Sequence, residues 1–128
     1  MPESFAESAL RHYADADHLA DRGRLDGAGY LIGYAVECAI KATIEATRPT
    51  ESAPHKHLPE LVERAKKTLQ GQQRRAIFSI IEQDGFMAGW SVDARYEANG
   101  HVDASKYAEW RKHASRTLGA ANLRRKTQ

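Results

Sequence analysis

A chain of 128 residues, 41% hydrophobic and 28% charged, fits one domain spanning 1–128 that buries its core without metals or disulfides. The single Cys38 rules out an internal bridge, no run approaches the about 20 apolar residues of a membrane span, and MPESFAESALRHY opens with acids where a secretory signal needs a basic patch, so an untargeted cytoplasmic protein is expected. The formal charge of +2 is uneven: residues 1–64 carry 7 Lys and Arg against 11 Asp and Glu, and residues 65–128 carry 12 against 6, which points any anionic partner to the C-terminal half.

Apolar residues recur at spacings of three and four, with no alternating run, so the reading is all-α. The first helix is predicted from about Ser4 to Arg22. Ser4 with Glu7 has capping-box spacing, and Phe5, Ala9, Tyr13, Ala16, Leu19 and Ala20 form the apolar stripe. The segment DGAGYLIGYAVECAIKATIEAT follows, capped by Asp26. Its apolar residues, among them Ile32, Ala35, Val36, Ala39 and Ile40, wrap over half the circumference, as in a helix packed on several sides.

Glu37 and Lys41 stand four apart in that segment, where they can pair along the surface. Gly29 and Gly33 continue the same row. An interior helical glycine costs about 1 kcal/mol relative to alanine, so the row predicts a second helix backbone close by, internal or from a second protomer.

Pro49 and Pro54 break the chain, and HKHLPELVERAKKTL restarts a helix with Pro59 in its first turn, capped or oriented by His57. A fourth helix is expected over about Gln72 to Gln83, burying Ile77, Ile80 and Ile81. The irregular stretch DGFMAGWSVDARYEANGH reaches the length at which loops tend to be functional. The last helix starts near Asp103 with Tyr107, Trp110, Ala114, Leu118 and Ala121 as its stripe, and the basic tail, about 124–128, frays. Short connections make antiparallel neighbours of most helices, giving an up-and-down bundle of four to five.

Several chemistries find no footing. The glycines of GAGYLIG lack a preceding strand, and Ile32 stands where the third glycine of a dinucleotide fingerprint belongs. His55 and His57 have no partner at metal-ligand spacing and Cys38 lies in an apolar helix, so no metal and no cofactor are expected. No serine has a nucleophile-elbow setting.

The stretches LDGAGYLIGYAVECAIKA, HLPELV and WSVDARY together resemble the HEPN domain, the higher-eukaryote and prokaryote nucleotide-binding fold, over nearly the whole chain. The resemblance implies a helical bundle, a homodimer, and an association with RNA or a nucleotide. It also implies a nucleotidyltransferase-type partner and membership of a toxin and antitoxin pair. Many members resemble metal-independent endoribonucleases with Arg, four to six residues, then His; Arg95 and His101, with five residues between them, match that spacing. On that pattern His101 is the general acid or base at the ribose 2′-hydroxyl and Arg95 holds the phosphate, with Glu37 and Lys41 lining or bracing the cleft. Tyr96 and the turn-forming Asn99 and Gly100 depart from it. A structural alternative remains open: Arg95 reaches back to Glu37, Trp90 and Tyr96 pack the bundle end, and His101 is a loop residue before the Asp103 cap. Whichever holds, a carboxylate in so apolar a helix requires a cation, and Lys41 and Arg95 are the candidates.

Overall fold

A computed structural model describes residues 4–47, 56–69, 75–92 and 100–123. Ser4 ends the extended chain, and its Oγ accepts the Glu7 backbone N–H at 3.2 Å. This starts α1, Phe5–Asp21. Ala9, Tyr13 and Ala16 are buried along the expected stripe. At its end Gly23 takes φ +75°, a conformation with little steric cost for glycine, and the chain re-enters helix at once. The three-residue link makes a hairpin of α1 and α2, Leu25–Thr47.

α2 is the centre of the molecule, with α1 and α5 packed along it. Ala28, Ile32, Ala35, Val36, Ala39 and Ile40 are wholly buried, as the wrap of apolar residues requires. α3, Glu60–Thr68, buries Leu61, Val62 and Ala65; α4, Arg75–Ile81, buries Ile77 and Ile81. Ile80 is only half-buried, because on this two-turn helix it is rotated away from the side shared by residues 77 and 81. α5, Ala104–Ala120, is capped by Asp103, whose Oδ1 accepts the Lys106 N–H at 2.7 Å, and it buries Tyr107, Trp110, Ala114, Thr117 and Leu118. Ala121, expected on this stripe, is the C-cap and half-buried.

All five helices belong to an all-α architecture, with no strand among the described residues. None is long and apolar enough to cross a membrane. The proline break at 49–54, the expected helical start at Gln72 and the basic tail lie outside the described residues.

Two expectations for α2 need correction. Asp26 does not cap it; the helix begins one residue earlier, which leaves the Asp26 carboxylate available to another segment. The glycine row accommodates tryptophan, not a second helix backbone. A Cβ on Gly33 would collide with the Trp90 indole, and one on Gly29 would lie 3.0 Å from Trp110 Cζ3 and 3.1 Å from Val102 Cγ1. The row is therefore covered by side chains of this same chain.

Candidate functional site

Asp26 and Glu37 are eleven positions apart, about three helical turns, so both side chains leave nearly the same side of α2, about 16 Å apart along its axis. Each carboxylate meets a histidine from a remote segment, and aromatic rings fill the space between.

At the N-terminal end, Asp26 accepts the Gly100 N–H at 2.7 Å and the Val102 N–H at 3.0 Å, and the His101 Nδ1 lies 3.3 Å from its Oδ1. The Gly100 and Val102 hydrogen bonds, aided by His101, hold the Asp26 carboxyl below the usual carboxylate range. Gly100 adopts φ +87°, which bends the chain so that both N–H groups point at one carboxylate. His101 is a quarter exposed, with its Nε2 buried. Its predicted companion Arg95 lies outside the described residues, as does Tyr96.

Between the ends, Trp90 is buried against Gly33 and its Nε1–H donates to the Gly29 carbonyl at 2.9 Å. Tyr30 stacks on it at 6.1 Å between centroids, Tyr34 meets it edge-on at 6.0 Å, and the two tyrosine hydroxyls are 3.1 Å apart. Trp90 thus braces the bundle. Trp110 continues the wall and donates its Nε1–H to the Ala88 carbonyl at 2.9 Å.

At the other end, Glu37 is 1% exposed. Its Oε2 lies 3.1 Å from the His57 Nδ1, and its Oε1 accepts the Leu58 backbone N–H at 3.0 Å. Lys41 does not supply the cation among the described residues. Its Nζ lies instead over the Phe5 ring of α1, 5.6 Å from the centroid. His57 thus orients α3 twice, through its ring on Glu37 and through its carbonyl, which accepts the Leu61 N–H at 2.8 Å.

The same residues open onto a cleft of about 450 Å³ between α1 and α2, where Arg11, His12, Tyr34, Glu37, Lys41 and His57 converge with Glu7 and Cys38. Burial, reinforced by the Arg11 charge, lowers the His12 pKa, so its imidazole is neutral at pH 7.

Glu37, Lys41 and His57 share this cleft, whereas His101 belongs to the opposite end of the row. The sequence placed Glu37 in the interior but not its partner: the signal was a histidine just before the apolar Leu58, and spacing along the chain does not measure the approach of residues twenty apart. The Asp26 tie was missed for the same reason. No three His, Cys, Asp or Glu side chains among the described residues gather as a metal site would require. No family model, curated protein or solved structure matches the chain.

Proposed function

We propose that this chain is a HEPN-like helical module of the cytoplasm that associates with RNA or a nucleotide, acts as a homodimer, and docks a nucleotidyltransferase-type antitoxin as one half of a toxin and antitoxin pair. One observation supports this reading above the rest. Of the three stretches that carry the resemblance, LDGAGYLIGYAVECAIKA forms most of α2, and the other two meet it, HLPELV through His57 and Leu58 on Glu37 and WSVDARY through its first residue, Trp90, on Gly29 and Gly33.

Of its two forms, binding without cleavage is the better supported. A general acid or base must bring a ring nitrogen within about 3 Å of the proton it moves. His101 has Nδ1 on Asp26 and Nε2 buried, which suits a residue that closes a loop. The ribonuclease form assigns proton transfer to His101 and the phosphate to Arg95.

The test incubates RNA in EDTA with the parent protein, His101→Ala and Arg95→Ala, each checked for helicity by circular dichroism. RNA retained and uncut is the expected result. Cleavage by the parent that both folded variants lose would establish the Arg95 and His101 pair and overturn the binding-only form. If neither RNA nor nucleotide is retained, the association itself fails. Light scattering on the same sample is expected at twice the 14.3 kDa chain mass, and a monomer would remove the dimer.

A further inference from the structure

We infer that the cleft between α1 and α2 is a binding site for a terminal phosphate group, at the size of a nucleoside monophosphate. This deepens the proposed function by locating a ligand site, away from Arg95 and His101, and it rests on that reading only for the nucleoside part.

The argument begins with charge. Arg11 on α1 and Lys41 on α2 both line the cleft. Among the described residues the Arg11 Nη2 donates to the neutral Ser8 Oγ at 3.2 Å and the Lys41 ammonium lies over the Phe5 ring, so no carboxylate neutralises either charge there. A phosphate dianion between two helices is the ligand such an arrangement suits, with a guanidinium for two oxygens and an ammonium as a point charge.

The interior of the cleft is polar in the same sense. Glu37 would repel an anion, but its oxygens are already directed to His57 and the Leu58 N–H. Holding His57 by Nδ1 leaves the Nε2 edge of a half-exposed ring for a ligand. His12 lines the cleft, and its Nδ1 is buried with no hydrogen-bond partner among the described residues. The remaining carboxylate is Glu7, exposed at the rim.

Size and shape give the rest. About 450 Å³ lies within the range of small-molecule pockets and exceeds what a bare phosphate needs. The Tyr34 ring, between His12 at 5.8 Å and His57 at 6.3 Å, is an aromatic wall for a base or sugar. The acidic balance of residues 1–64 pointed away from this region; within the cleft Arg11 and Lys41 stand with two carboxylates, of which Glu37 is turned to His57 and the Leu58 N–H and Glu7 is at the exposed rim.

Calorimetric titration of the full chain with inorganic phosphate, AMP and adenosine tests the site. Phosphate and AMP are expected to bind, and adenosine at least about tenfold more weakly than AMP. Arg11→Ala and Lys41→Ala are each expected to weaken AMP by about tenfold, the effect of one charged hydrogen bond, while Lys41→Arg retains most of it. Equal binding of AMP and adenosine, no heat with phosphate or AMP, or parent-like affinity in both folded alanine variants would overturn the site. Short oligoribonucleotides separate the sources of the phosphate. Displacement of AMP by a 5′-phosphorylated oligomer but not its 5′-hydroxyl counterpart supports the site with an RNA end as the source, and displacement by neither supports it with a free nucleotide. RNA retention that persists in the folded Arg11→Ala, Lys41→Ala double variant while AMP binds it as tightly as the parent sinks the cleft and leaves the association with RNA standing.

Discussion

Glu37 presents a problem that a single side chain cannot solve. An ionised carboxylate at 1% exposure costs several kcal/mol unless charge and hydrogen bonds compensate. Its neighbours in sequence could not do so: Lys41 sits one turn on, where its reach carries it over Phe5. The imidazole of His57 and the N–H of Leu58 do so instead, from across the fold. Glu37→Ala should therefore lower stability by about 3 kcal/mol, the low end for breaking a buried pair because His57 is half-exposed. Glu37→Gln should lose less, since its amide oxygen still accepts from Leu58. Urea unfolding of the three proteins checks this order, and an alanine variant as stable as the parent would end the argument.

At the scale of elements, α2 has glycines where its neighbours are bulky. Two effects oppose each other in Gly33→Ala. Helix propensity gains about 1 kcal/mol. Against this, a Cβ at Gly33 cannot coexist with the indole of Trp90, and expelling a buried tryptophan costs about 3–5 kcal/mol on the scale of truncating one. The loss wins, so Gly33→Ala should be less stable than the parent by about 2–4 kcal/mol, with Trp90 fluorescence shifted to the red as its ring meets water. Unchanged emission and stability would mean that the ring does not rest on the glycine. α1 and α5 are joined differently, through Asp17. It accepts Arg111 Nε at 2.7 Å and Nη2 at 2.8 Å together with the Tyr107 hydroxyl at 2.9 Å. Burial first, and the Asp17 hydrogen bond second, push the Tyr107 phenol up, so it remains a donor.

The whole molecule shows where the uneven charge goes. Carboxylates of the acidic half hold groups from later in the chain: Asp17 holds Arg111, Asp26 holds the 100–102 turn, and Glu37 holds the start of α3. Acid should loosen the Asp26 joint. For Asp26 the sign follows from its depressed pKa: its contribution is complete above about 3.9, the unfolded value, and disappears as pH falls through the lower folded value. Thermal melts from neutral pH into acid should show the parent losing stability as pH falls. Asp26→Asn should melt lower at neutral pH and respond less to acid. An identical acid slope in both proteins would exclude Asp26 from the response.

The sequence by itself determined the helices. Ser4 and Asp103 as caps, the stripes of α1 and α5, and the apolar wrap of α2 are encoded within a few residues of one another, because caps and periodicity are local. It also determined that Glu37 is buried and needs compensation. Which groups compensate it, why Gly29 and Gly33 are small, and what Asp26 holds were decided only by the tertiary structure. Each depends on the approach of side chains from 20 to 76 positions away, and such approaches follow from the packing of helices, not from any spacing along the chain. The cleft between α1 and α2 is of the same kind: Arg11 and Lys41 are unremarkable in sequence, and they become one site only because a three-residue turn folds α1 back along α2.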